Sequence, residues 1–220
     1  MHWMDRPRVI INVAQSLNGM IAGPGGRRVT ISSAQDRERV LEIRSKVDAV
    51  IVGANTVVND NPRLNLEGHA SNHDSGPMRV VLDGSLKIPD NSHILDGTSR
   101  TVVFTWNLNR ELKGADLIRV SRDHLTVKEI LDKLWSMGIR NVLVEGGKQV
   151  IHEFIDAGAV DEFHIFVGNI LIERGGMILF DPPEDISGVA RDIRVMQGGL
   201  LISLDPHSLM IAWKKKAKAF

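Results

Sequence analysis

The chain has 220 residues, with 27 Lys plus Arg against 27 Asp plus Glu, so its formal net charge is zero. That length suits one domain or two small ones, and a single unit of this size buries roughly 70% of the surface its unfolded chain exposes. Zero net charge without a basic–aromatic stripe argues against nucleic-acid binding, and the absence of cysteine excludes disulfides, thiolate nucleophiles and Cys-ligated metals. Tyrosine is absent as well, which excludes Tyr-based acid catalysis.

The opening residues 1–8 do not read as a signal peptide. The apolar run behind them, Val9-Ile10-Ile11, is too short, and no stretch approaches the ~20 apolar residues of a membrane span. A soluble, cytoplasmic protein with no membrane partner is expected.

In chain order, a strand predicted over Arg8–Ala14 leads to a helix over Ser33–Val47. There Ser32 and Gln35 form a capping pair, and Val40, Ile43 and Val47 recur at i, i+3, i+7. A strand over Ala49–Gly53 runs into a short helical turn that sets Thr56 and Asp60 four apart on one face. Strands follow over Arg79–Asp83, Thr101–Thr105 and Leu117–Val120. Thr126 and Glu129 make a capping box for a helix over Thr126–Met137, and Gly138 stands where a left-handed C′ residue belongs. Next come a strand over Asn141–Glu145, a helix over Lys148–Ala157 and strands over Glu162–Val167, Leu200–Leu204 and Ser208–Lys215. Several strands are apolar on both faces, as in a sheet covered on each side. The expectation is an α/β fold: a mostly parallel central sheet, antiparallel strands added near the C-terminus and helices on both faces. One domain over 1–220 is expected, with its core in 8–215. Gly68–Pro77 reads as a mobile loop, and Lys214–Lys218 as a solvated end.

Four strand exits carry candidate chemistry, because open α/β sheets collect ligands at the carboxyl ends of their strands. Glu145-Gly146-Gly147-Lys148 opens a helix and reads either as a phosphate-binding turn or as a plain tight turn with a solvated acid. Thr56 and Asp60 suit ribose or nicotinamide polar groups, yet Asp60-Asn61-Pro62 is equally an ordinary helix stop. Asn18-Gly19 reads most simply as a hairpin turn, and Asp83-Gly84-Ser85 as another strand-to-turn exit. No Rossmann glycine fingerprint, P-loop or nucleophile elbow is present. His69, His73 and Asp74 have ligand-like spacing only on a helix, and their Gly/Ser/Asn-rich surroundings are not helical, so no metal is expected.

The order and spacing of these pieces are more telling than any one of them. The series SLNGMIA (16–22), TISS (30–33), EIRSKVDAVIVGANTVVNDNPRL (42–64), RVVLDGSLKIP (79–89), GIRNVLVEGG (138–147) and VDEFHIFVGNILI (160–172) resembles the reductases of riboflavin biosynthesis. These are 2,5-diamino-6-(ribosylamino)pyrimidinone 5′-phosphate reductases of the stand-alone archaeal and fungal type, similar to the C-terminal half of the bacterial deaminase–reductase. The resemblance covers about Arg8 to Gly176 and is weaker beyond. It implies a dihydrofolate-reductase-like fold, NADPH as cofactor, a phosphorylated small-molecule substrate and a homodimer with its contact in the C-terminal strands. The paired cysteines of a zinc deaminase module are absent, so reduction alone is implied.

Carried over by position, the resemblance puts Ala14, Thr30, Thr56, Asp60, Asp83, Gly84, Ser85, Gly146, Gly147, Lys148, Gln149 and Val150 on the cofactor. It puts Arg28, Arg44, Leu64 and Glu145 on the substrate, with Asn18 and Arg63 by proximity. Glu145 is the catalytic candidate, and the arginines suit a ribose 5′-phosphate because guanidinium forks match phosphate geometry. Three positions depart from the family: Asn61 where a second acid is usual, Thr30 where Trp is usual, and Lys148 where small residues follow the glycines. Other reductions on the same fold, such as that of dihydrofolate or of 5-amino-6-ribosylaminouracil phosphate, remain rival readings, as does a non-catalytic dinucleotide-binding dimer.

Overall fold

A computed structural model describes residues 5–66, 68, 69, 75–120, 125–180 and 189–217. In chain order these form β1 (Arg8–Ser16), β2 (Met20–Ala22), α1 (Ala34–Lys46), β3 (Ala49–Gly53), α2 (Ala54–Asp60), β4 (Met78–Leu82), β5 (Thr101–Thr105) and β6 (Asp116–Arg119). Then come α3 (Val127–Ser136), β7 (Asn141–Val144), α4 (Lys148–Asp156), β8 (Glu162–Gly168), β9 (Met177–Ile178), β10 (Ala190–Met196), β11 (Gly199–Leu204) and α5 (Pro206–Ala217).

One nine-stranded sheet runs in the order β10-β11-β8-β1-β7-β3-β4-β5-β6. From β8 to β6 every pair is parallel. The β11 and β10 strands add antiparallel at the β8 edge, so the mixed sheet expected from the pattern is present.

Alternation along the strands sorts their side chains into two cores. Val9, Ile11, Val13, Ala49, Ile51, Val142 and Val144 pack with Ile130, Leu131 and Leu134 of α3 and with Ile151 and Phe154 of α4. Their neighbours in sequence, Val50, Val52, Val81, Val103 and Leu143, pack on the other face with Ala54 and Val57 of α2 and with Ile43 of α1. Period-2 side-chain alternation with apolar residues at both phases requires cover on both faces, and helices provide it.

The caps match the sequence in kind. Thr126 and Glu129 exchange the reciprocal hydrogen bonds of a capping box, and Gly138 takes φ +89° behind α3. At α1 the cap shifts by one residue: Ser33 Oγ accepts from the Asp36 amide at 3.1 Å, in place of the Ser32–Gln35 pair. The Gln35 side chain instead accepts from the Gln197 amide at 2.7 Å.

The C-terminus departs furthest from expectation. Residues 208–215, predicted as a strand, lie inside α5. Asp205 starts that helix, its Oδ2 accepting from Ser208 N at 2.8 Å and its backbone oxygen from Leu209 N at 2.9 Å, with Pro206 at the first helical position. Asp-Pro at a helix start is a strong N-terminal signal, and it outweighs the β-like composition that follows. The β10 strand, interrupted by Arg191, Asp192 and Arg194, was invisible to the apolar pattern. It closes a hairpin with β11 around Gln197-Gly198. The Asn18-Gly19 turn forms, with Gly19 at φ +77°, but β2 then pairs antiparallel with β9 in a separate small sheet. Of the predicted loop over 68–77, residues 70–74 lie outside the described residues. The end of the lysine tail, from Lys218, lies outside them too. No described helix is long and apolar enough to cross a membrane.

Candidate active site

The carboxyl ends of β1, β7, β3, β4 and β5 open onto one cleft of about 1440 Å³. It gathers Ala14, Arg28, Thr30, Arg44, Thr56, Asp60, Arg63, Leu64, Asp83, Gly84, Ser85, Glu145 and the turn from Gly146 to Val150. Residues more than a hundred positions apart meet there because β7 inserts between β1 and β3.

Glu145 follows β7, with its backbone amide bonded to Ile51 O at 3.0 Å. Its side chain is only 9% exposed, and Arg44 from the last turn of α1 clamps it with Nε on Oε1 at 2.6 Å and Nη2 on Oε2 at 2.5 Å. Arg44 Nη1 also donates to Asn65 O at 3.2 Å. A bidentate guanidinium–carboxylate pair is strong and geometrically specific. Arg44 thus holds Glu145 in place, and both line the cleft with Arg28, Arg63 and Leu64, also expected on the substrate.

Behind Glu145 the chain turns through Gly146 and Gly147 into α4. Gly147 takes φ +85°, a left-handed conformation that favours glycine. The N-cap residue is Gly147, which brings no side-chain acceptor of its own to the start of α4. A Cβ at Gly146 would come within 3.2 Å of Thr56 Oγ1, and one at Gly53 within 2.9 Å of Val150 Cγ2. Bare glycine backbone at a helix start and a nearby hydroxyl fit a dinucleotide phosphate. The Val150 side chain is core, which leaves its backbone for any ligand. Gln149 Nε2 donates to Glu153 Oε1 at 2.9 Å.

Asp60 ends α2, half-buried opposite Arg28. Burial raises its pKa above the usual carboxylate value, and the Arg28 charge offsets part of that rise. Arg28 is exposed, and Arg63 is exposed with Nη1 3.7 Å from Asp96 Oδ2, so both guanidiniums can turn to an anion in the cleft. Leu64 is buried at φ +52°, an uncommon conformation for a bulky residue, held within the second core. Asp83 is buried: its Oδ2 accepts from Ile88 N at 2.8 Å, while Oδ1 has no hydrogen-bond partner among the described residues.

Asn18 is the one carried-over residue that does not line the cleft. Its Nδ2 donates to Ile172 O at 2.8 Å and its Oδ1 accepts from Ser16 Oγ and Ile172 N, which ties the turn after β1 to the segment after β8. His69 bonds Glu38 through Nε2 at 2.6 Å, and His73 and Asp74 lie outside the described residues.

Several lining residues were missed from the sequence. Asn12 sits on β1 with its Oδ1 held by Arg39 Nη2 at 2.6 Å, and Arg39 is itself fixed by buried Asp36. Lys87 Nζ donates to Asn55 Oδ1 at 2.6 Å. His152 places Nε2 2.7 Å from Leu179 O, with its ring edge-on to Trp213 at 4.6 Å. Trp106 follows β5 and packs on Gly84. Only the strand-end position of Trp106 offered a sequence signal. The others are single polar residues inside apolar stretches.

An open sheet with a cleft across its strand ends, a glycine turn opening a helix and a clamped carboxylate beside it is the layout of α/β proteins that take nucleotide-like ligands. The family is narrower: residues 7–197 match the RibD C-terminal domain, and the chain belongs to that family. A 2,5-diamino-6-ribosylamino-4(3H)-pyrimidinone 5′-phosphate reductase from Archaeoglobus fulgidus is 31% identical over 76% of this chain and 82% of its own length. The enzyme of that name from Methanothermobacter thermautotrophicus is 30% identical over 86% and 90%. Among solved structures, a deaminase/5-amino-6-(5-phosphoribosylamino)uracil reductase from Thermotoga maritima matches with TM-score 0.79 at 28% identity over 91% of this chain. This chain spans only 57% of that one. The yeast riboflavin biosynthesis reductase Rib7, 19% identical with TM-score 0.73, shares the fold. The fold is thus the dihydrofolate-reductase-like one of these proteins, whose named members are reductases of riboflavin biosynthesis.

Proposed function

We propose that the chain reduces the ribosyl side chain of 2,5-diamino-6-(ribosylamino)pyrimidinone 5′-phosphate to ribityl, with NADPH as hydride donor. The observation that carries this reading is the Glu145 carboxylate, clamped by Arg44 one residue before the glycine turn that opens α4, so that an acceptor pair and a phosphate cradle share one cleft. The names of the archaeal relatives support the choice of substrate.

NADPH, when bound, supplies a hydride for C1′ of the ring-opened ribosylamine. The amides of the Gly146–Val150 turn, with Thr56 and Asp60, hold the dinucleotide, and Ala14, Thr30 and the Asp83–Ser85 exit flank it. Glu145 receives the diaminopyrimidine edge, because each oxygen keeps a lone pair after its bond to Arg44. Arg28 and Arg63 take the 5′-phosphate. The chain works as one cytoplasmic reductase domain. A homodimer is supported by the edge face of β10 and β11, where Ile193 is 58%, Val195 87% and Leu200 37% exposed.

The test is NADPH oxidation with three substrates offered separately: the 2,5-diamino compound, its deaminated uracil counterpart and dihydrofolate. Oxidation with the diamino compound is expected. Oxidation with the uracil compound alone would move the enzyme behind deamination, and oxidation with none would discard the substrate. Light scattering across concentration tests the dimer.

A further inference from the structure

Trp106 is the only Phe, Tyr or Trp among the described residues that line the cleft. It stands at the carboxyl end of β5, and its amide donates to Gly84 O at 3.0 Å. The six-membered ring lies so close over Gly84 that any Cβ there would overlap its Cη2 and Cζ3 carbons. The glycine therefore seats the indole against the β4 exit, and the half-buried ring still lines the cleft. A large rigid aromatic held this way offers the cleft a flat apolar surface.

Its place along the sheet says what it meets. Glu145 leaves β7 and Trp106 leaves β5, with β3 and β4 between them. Three strand spacings put the two exits roughly 14 Å apart. Hydride transfer needs the nicotinamide beside the substrate at the Glu145 end, and the phosphate cradle starts at Gly146. An extended dinucleotide then carries its other base across β3 and β4 to the β5 exit.

We propose that Trp106 is the stacking wall for the adenine ring of the dinucleotide, seated by Gly84. This rests on the NADPH reading above. Stacking needs no hydrogen-bond partner on the base, and each stacked base contributes enough that losing the ring weakens binding about tenfold or more.

The experiment measures equilibrium binding of NADPH, of adenosine 2′,5′-bisphosphate and of reduced nicotinamide mononucleotide to the parent, Trp106→Leu and Trp106→Phe. Trp106→Leu should lose about tenfold or more for NADPH, and the same factor for the bisphosphate. Trp106→Phe, which keeps a ring, should stay close to the parent in affinity. The bisphosphate should quench tryptophan emission in the parent, and this quench should vanish in Trp106→Phe. A loss confined to NADPH, or one shared by reduced nicotinamide mononucleotide, overturns the assignment, as does undiminished bisphosphate binding in Trp106→Leu. A parent protein that binds neither NADPH nor the bisphosphate overturns the cofactor reading itself.

Discussion

Two arginine–carboxylate pairs stand at opposite ends of the sheet, in different surroundings. At the amino end of β4, fully buried Arg79 binds Asp96 Oδ1 at 2.7 Å, Thr98 Oγ1 at 2.6 Å and Ile94 O at 3.1 Å. It fastens the connection between β4 and β5 against the sheet. At the carboxyl end of β7, Arg44 grips Glu145 with equally short bonds, but that pair borders a cleft of about 1440 Å³. The same chemistry rests on a fully buried guanidinium in one place and borders a ligand-sized cleft in the other.

Breaking the structural pair should have the largest effect on stability. Arg79→Ala removes a fully buried guanidinium with its hydrogen bonds to Asp96, Thr98 and Ile94, and should cost at least about 1.5–3 kcal/mol in urea unfolding. Activity per folded molecule should persist. Breaking the cleft pair should cost less stability, because Arg44 is 16% exposed where Arg79 is fully buried, so its removal forfeits less packing. Arg44→Ala is expected to raise substrate KM markedly and leave NADPH affinity unchanged, and equal losses in both would refute a role confined to the substrate side. Glu145→Gln removes a charged acceptor, worth about 1.5–3 kcal/mol, so kcat/KM should fall about tenfold to a hundredfold. If kcat itself stays near the parent value, Glu145 binds and does not transfer a proton.

Acid sharpens the contrast further. Burial would raise the Asp96 pKa, but hydrogen bonds from Arg79 and Thr98, with the Arg79 charge, outweigh it and hold the carboxyl at about 2. A carboxyl depressed in the folded state stabilises above its unfolded pKa of 3.8, and that contribution is lost as pH falls from there through about 2. Asp96→Asn should therefore flatten the acid limb of the stability profile between those values. Asp60 has the opposite sign. Its pKa is raised by burial, so its share of stability is present below the unfolded value and is lost as pH rises through the folded one. Asp60→Asn should give a small gain in Tm at neutral pH that disappears in acid, together with weaker cofactor binding. An unchanged Tm at neutral pH would remove the burial argument.

Much of the fold was legible because its causes are local. The two-phase apolar strands, the Thr126–Glu129 box and the glycine turn before α4 follow from side-chain alternation, capping geometry and backbone freedom. The C-terminus was not legible by apolar pattern. Charged β10 finds its place only against β11, and α5 is set by the Asp205-Pro206 start rather than by the composition of residues 208–215.

The site divides the same way. Strand ends and glycines mark where a ligand belongs, and motif order is enough to name the family. Yet the pairing of Arg44 with Glu145, and the bonds by which Asn18 ties the turn after β1 to the segment after β8, appear only in the structure. Trp106 stands at the cleft only because Gly84, in the turn after β4, makes room for it. Local sequence determined the elements, their caps and the positions of the exits, since those depend on near neighbours along the chain. Only the tertiary structure decided which charges pair and which face ligand, because a hydrogen bond goes to whichever group the strand order brings within reach.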